Sequence, residues 1–158
     1  MIVDASPDDW AEFRGIRLRA LADAPDAFGM TLTAALEQTE EAWRSRLDTE
    51  DPILLVRDGG TAVAMGAGWR PPDTPGSMMI WGMWTAPEAR GRGHAAVLVG
   101  HLLAWAREHA ITDVALHVTE GNDVARRIYE QCGFVATGLW EPLREASPLR
   151  IELLRRTA

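Results

Sequence analysis

Residues 1–158 read as one mixed α/β domain: a strand, two helices, three strands, a helix, a strand, a helix and two closing strands. Three observations predict it. Apolar residues recur at helical spacing in some segments and form short strand-like runs in others. Caps and Gly/Pro turns separate those segments. No Pro/Gly-rich stretch is long enough to be an interdomain linker, and a chain of 158 residues can bury a core of its own.

Residues 2–5 form a short strand. Ser6 before Pro7, Asp8 and Asp9 is an N-cap with proline at the first helical position. From Trp10, the residues Phe13, Ile16, Leu18 and Leu21 fall at roughly helical spacing up to the Asp23-Ala24-Pro25 break. A second helix is expected over 36–47, where Trp43 and Leu47 lie one turn apart. Residues 52–57 make an apolar strand that turns through Asp58-Gly59-Gly60 and returns over 61–69, a hairpin signal. Residues 71–76 are a loop by composition, and 78–85 a further strand stopped by Pro87.

A long helix is expected over 93–109, with Ala95, Leu98, Val99, Leu102, Trp105 and Ala106 in one stripe. Residues 113–119 form a strand with Val114, Leu116 and Val118 on one face, and Ala115, His117 and Thr119 on the other. Asn122 caps a last helix that ends at Gly133, and strands over 134–139 and 149–154 close the chain.

Composition narrows the partners. Sixteen basic residues, all arginine, stand against 23 acidic ones for a net charge of −7. An acidic surface disfavours nucleic acid, whose nonspecific binding rests on neutralising phosphates, and suits a small cationic acceptor. Cys132 is alone, so neither an intramolecular disulfide nor a CxxC metal site is available, and no spacing of histidines and carboxylates reads as a metal site. No apolar run approaches the ~18 residues that cross a bilayer. The start, Met1-Ile2-Val3-Asp4, is acidic and has no secretion-signal pattern, so cytoplasm is the default expectation.

The chemistry concentrates between the strand at 78–85 and the helix behind it. Thr85 leads into a turn with Arg90, Gly91, Arg92 and Gly93, and the helix opens directly with His94, Ala95 and Ala96. A helix start offers unpaired N–H groups and partial positive charge to a phosphate. Glycines let the backbone approach the anion, and either arginine suits a phosphate. There is no GxxxxGK[ST] phosphate loop. The relaxed dinucleotide pattern GxGxxA is met by Gly91, Gly93 and Ala96, but Pro87-Glu88-Ala89-Arg90 intervenes after the strand and Asp113 sits at the wrong end of the next one. A nicotinamide or flavin enzyme is therefore the minor alternative. A noncatalytic acyl-CoA-binding domain is another.

Arg90, Gly93 and Ala95 meet the pattern (Q/R)-x-x-G-x-(G/A) after a strand, and Asn122, Tyr129, Gly133 and Phe134 follow at matching positions. In these features the sequence resembles the GNAT superfamily of acetyl-CoA-dependent N-acetyltransferases, sharply over residues 83–134. Arg17-Leu18-Arg19-Ala20-Leu21 and Pro25-Asp26-Ala27-Phe28-Gly29 also look like the N-terminal region of many bacterial members.

The resemblance implies a mostly antiparallel sheet of about seven strands, splayed between 78–85 and 113–119 and flanked by about four helices. It implies acetyl-CoA as co-substrate, with the diphosphate on the main chain of Gly91, Arg92, Gly93, His94, Ala95 and Ala96. The pantetheine arm would run along Met83, Trp84 and Thr85, with Asn122 contacting it. Tyr129 is implied as general acid. No carboxylate stands on the strand at 78–85, and His117 occupies the place where some relatives carry a glutamate base; Glu120 and water remain alternatives. Trp81, the 71–76 loop and Trp140-Glu141-Pro142 are candidate borders of an acceptor site for an amine, and a homodimer is a candidate assembly.

Overall fold

The computed structural model describes residues 1–158. Seven strands form one sheet: β1 (Ile2–Asp4), β2 (Ile53–Asp58), β3 (Thr61–Trp69), β4 (Ser77–Thr85), β5 (Asp113–Thr119), β6 (Val135–Pro142) and β7 (Arg150–Thr157). Five helices accompany it: α1 (Trp10–Asp23), α2 (Leu32–Leu36), α3 (Glu40–Leu47), α4 (His94–Glu108) and α5 (Asp123–Gln131). The strands lie in the order β1-β2-β3-β4-β5-β7-β6. Every neighbouring pair is antiparallel except β4 and β5, which run parallel. None of the helices is long and apolar enough to cross a membrane.

The mixed, mostly antiparallel sheet expected from the sequence is present, and the helix count rises from four to five. The single helix expected over 36–47 is two helices that meet at an elbow. Thr31 caps α2 by accepting the Ala34 N–H, and Thr39 caps α3 by accepting the Ala42 N–H, both at 3.2 Å. A threonine that caps takes extended backbone angles, so Thr39 stops a continuous helix and starts a fresh one. Glu40 and Glu41 then complement the positive end of α3. At the chain's start, the Ser6 N–H and hydroxyl both donate to Asp9, which holds a 3-10 turn over Pro7–Asp9 ahead of α1.

Two features of the sheet make room for a site. The parallel pairing of β4 with β5 covers only Ser77 with Asp113, Met78 with Val114 and Met79 with Ala115. Beyond Met79 the strands part and leave the inner edge of β4 unpaired. β4 also bulges there: Met65 faces Trp84 and Ala67 faces Trp81, so two residues, Gly82 and Met83, oppose Gly66 alone. Gly82 has φ +67°, a conformation that glycine adopts without strain.

α1 and α4 pack on opposite faces around this bulge. A β-carbon on Gly66 would stand 3.7 Å from Leu98 of α4, whereas one on Gly82 would stand 3.6 Å from Nη1 of Arg17 on α1. The core runs through both faces, with Phe13 edge-on to Trp43 at 5.8 Å on the α1 side and Leu98, Val99 and Leu102 on the α4 side.

Candidate active site

The gap between β4 and β5 opens into a cavity of about 600 Å³, within the range typical of small-ligand sites. Met79 to Met83 of β4 and Leu116 to Thr119 of β5 form two walls, α5 adds Asn122, Ala125 and Tyr129, and Arg17, Phe28 and Leu143 close the rest. The two candidate catalytic residues, His117 and Tyr129, therefore share one cavity with Asn122 and Met83.

Tyr129 is buried, 9% exposed, and its ring meets Phe134 edge-on at 6.3 Å. Its hydroxyl makes no hydrogen bond within the protein. Burial pushes the phenol above its ordinary value of 10.0, with a smaller push from Cys132. Asn122 caps α5 by accepting the Ala125 N–H at 3.3 Å, so its role in the fold is visible directly. The amide nitrogen of Asn122 stays available to the cavity.

His117 projects from β5 with its side chain 32% exposed and Nε2 3.4 Å from Glu141. Desolvation lowers its pKa below 6.5 against the opposing pull of Glu141, so the imidazole is neutral at pH 7 and can accept a proton. Glu120 is engaged elsewhere. It accepts the Arg150 N–H at 2.9 Å, stands 3.5 Å from the Arg150 guanidinium and does not line the cavity.

At the open end of β4 the chain makes a 3-10 turn over Pro87–Ala89, passes through Gly91 and Gly93 with φ +78° and +79°, and enters α4 at His94. Val97 is the first residue to bond back, to the Gly93 carbonyl at 3.1 Å. The N–H groups of Gly91, Arg92, Gly93, His94, Ala95 and Ala96 have no main-chain acceptor. Six successive free donors at a helix start fit a diphosphate. His94 adds an Nε2 that is buried without a partner.

The two arginines of this loop are committed to its shape. Arg90 donates to the Thr85 carbonyl at 3.0 Å and to Asp23 at 2.6 Å, and Arg92 reaches Asp58 at 3.1 Å. Asp23 also accepts the Trp84 indole N–H at 2.9 Å, which turns that ring away from the cavity. Hydrogen bonds from Trp84 and Arg90 hold the Asp23 carboxyl below its usual range. Trp84 thus offers the site its main chain only, while Trp81 lines the cavity with its side chain. Trp69, Phe28, Leu143 and Arg17 are wall residues the sequence reading did not place there, and the 71–76 loop contributes none.

A parallel strand pair that parts, followed by a glycine-rich turn into a helix with free N–H groups, sets an open strand edge next to an anion-binding helix start. The profile of the acetyltransferase (GNAT) family matches residues 17–134, and the chain belongs to that family of acyltransferases, whose co-substrate is acetyl-CoA. Among curated proteins it is 31% identical over 127 residues to a mycothiol acetyltransferase of Thermomonospora curvata, covering 79% of this chain and 39% of that protein. It is 35% identical over 77 residues to an L-2,4-diaminobutyric acid acetyltransferase of Streptomyces coelicolor, covering 48% of this chain and 45% of that one. The chain thus spans less than half the length of these relatives. In fold it resembles a ribosomal-protein-alanine N-acetyltransferase from Brucella melitensis, with a TM-score of 0.83 at 20% identity over 100% of this chain and 99% of the other. A phosphinothricin acetyltransferase from Sinorhizobium meliloti, solved with acetyl-CoA, gives 0.83 at 15% identity over 99% and 87%.

Proposed function

We propose that residues 1–158 act as one N-acetyltransferase domain that moves the acetyl group of acetyl-CoA to a primary amine of a small molecule, by direct transfer in a ternary complex. The observation that carries this reading is the open β4 edge, which shares one cavity with Tyr129 and His117 and continues along the chain to six free N–H groups.

The main chain from Gly91 to Ala96 holds the diphosphate, and Arg90, through Asp23 and the Thr85 carbonyl, keeps that loop in shape. Met83, Trp84 and Thr85 offer main-chain groups to the pantetheine arm, as a strand edge does to an added strand. Asn122 steadies the same arm from α5. His117 takes a proton from the ammonium, and the amine nitrogen then attacks the thioester carbon. A main-chain N–H near Met83 stabilises the oxygen as charge develops on it. The C–S bond breaks and Tyr129 protonates the departing sulfur. The acylated nitrogen gives its second proton to solvent, and exchange with solvent returns a proton to Tyr129 and removes one from His117, so one proton is released overall. His117 is preferred over Glu120 as base because it lines the cavity and Glu120 is paired with Arg150.

Acetyl-CoA incubated with a broad panel of primary amines tests this reading. Thiol release matched by a 42 Da gain on one acceptor class supports it. Absence of both across the panel removes the enzymatic assignment and leaves a noncatalytic CoA-binding domain.

A further inference from the structure

Arg17 is the one deeply buried arginine without a counter-charge. It stands in mid α1, 4% exposed, between Phe13 and Leu21 on the helix's buried stripe. Its Nε and Nη1 are buried with no hydrogen-bond partner. The Phe28 and Trp81 rings lie 5.2 and 5.6 Å from its Cζ and hold the guanidinium by cation–π contact. Three less buried arginines are instead paired with carboxylates: Arg57 with Asp9 and Glu12, Arg70 with Asp51, and Arg126 with Glu152. The charged neighbour that bears on Arg17 is instead a second cation, Arg46, and burial with that neighbour lowers its pKa to about 10, still protonated at neutral pH.

A buried charge without a partner is strongly unfavourable, and an anionic ligand would relieve that cost. Arg17 lines the same cavity as His117 and Tyr129. Glycine at position 82 leaves the space beside Nη1 unfilled, since a β-carbon there would stand 3.6 Å from it. Resting on the acetyltransferase reading above, we propose that the acceptor is an amino carboxylate, and that Arg17 pairs with its carboxylate while the amine faces His117. A planar guanidinium matches a carboxylate with two parallel hydrogen bonds. Phe28, Trp69 and Trp81 make the remaining walls apolar, which suits an amino acid with an apolar side chain. The net charge of −7 pointed to a cationic acceptor, but the charge inside the cavity is positive and local.

Matched acceptors test the assignment: leucine, leucinamide and isoamylamine, and the phenylalanine, phenylalaninamide and phenethylamine set. Wild-type protein is expected to acetylate the free acid with kcat/KM on the order of 100-fold above the amide or amine, mainly through KM. Arg17→Met should erase that preference while leaving KM for acetyl-CoA within about twofold, and Arg17→Lys should keep part of it. Calorimetry with N-acetyl-leucine and CoA gives a second reading, in which wild type binds and Arg17→Met does not. Acetyl transfer to all three forms alike overturns the carboxylate pairing and leaves the enzyme reading standing. If no amine is acetylated but N-acetyl-leucine binds through Arg17, the enzyme reading fails and the carboxylate site survives. If neither variant folds, a lack of preference in the wild type still overturns the proposal.

Discussion

Burial raises the Tyr129 phenol while it lowers the His117 imidazole, so one environment separates the two groups in opposite directions. A phenol that keeps its proton at every working pH is suited to give it up to a thiolate, and a neutral imidazole is suited to take one. Tyr129→Phe is expected to lower kcat about 10²-fold with acetyl-CoA affinity nearly unchanged. Equal turnover in that variant removes Tyr129 from proton transfer. For His117 the sign follows from its lowered pKa. The wild-type rate falls as pH drops through a value below 6.5, because the protonated ring no longer accepts a proton. His117→Gln should lower kcat at pH 7 by about 10²-fold and abolish that inflection. A pH–rate profile that keeps the inflection assigns it to another group. Tyr129 and Asn122 were legible because their mutual spacing is set within one helix. Arg17 was not, since α1, Phe28 and Trp81 meet only after folding. A signal existed all the same: an arginine four residues from both Phe13 and Leu21 sits on an otherwise apolar stripe.

At the scale of elements, strands and helices were read well where pattern and caps agreed, as for β5 and α4. The reading failed at the α2–α3 elbow, because Trp43 and Leu47 carry the same periodicity whether or not Thr39 interrupts it. Local capping decided the outcome. Thr39→Ala should destabilise the fold by about 1 kcal/mol, read as a lower urea midpoint with an unchanged slope. No change in midpoint means that packing of Trp43 alone holds α3 in place. At the β4–α4 junction the free N–H groups and the φ +79° of Gly93 act together. Gly93→Asp adds both a carboxylate beside the diphosphate and a strained backbone, so acetyl-CoA affinity should fall by more than tenfold. Unimpaired affinity in a folded variant places the phosphate elsewhere.

Over the whole molecule, the sheet is two antiparallel blocks, β1–β4 and β5, β7 and β6, joined by three parallel pairings at the ends of β4 and β5. The splay itself cannot be derived from composition or periodicity, because it depends on where two sequence-distant strands stop pairing. A CoA arm laid along the free edge of β4 and touching α5 would tie the blocks together. It would do so in the native state only, since neither the edge nor the loop exists in the unfolded chain. Such a ligand stabilises by about 2.7 kcal/mol at a hundredfold excess over its dissociation constant. For a protein of this size that corresponds to a Tm rise of about 5–10 °C. Acetyl-CoA and CoA should both produce it in a thermal-shift experiment, NADH should not, and Gly93→Asp should abolish it. Amide exchange at Met83 to Thr85 should slow in the same samples, because those groups would gain partners. A shift with NADH in place of CoA would instead return the glycine turn to a dinucleotide, and no shift with either would leave the open edge of β4 without the ligand argued for it.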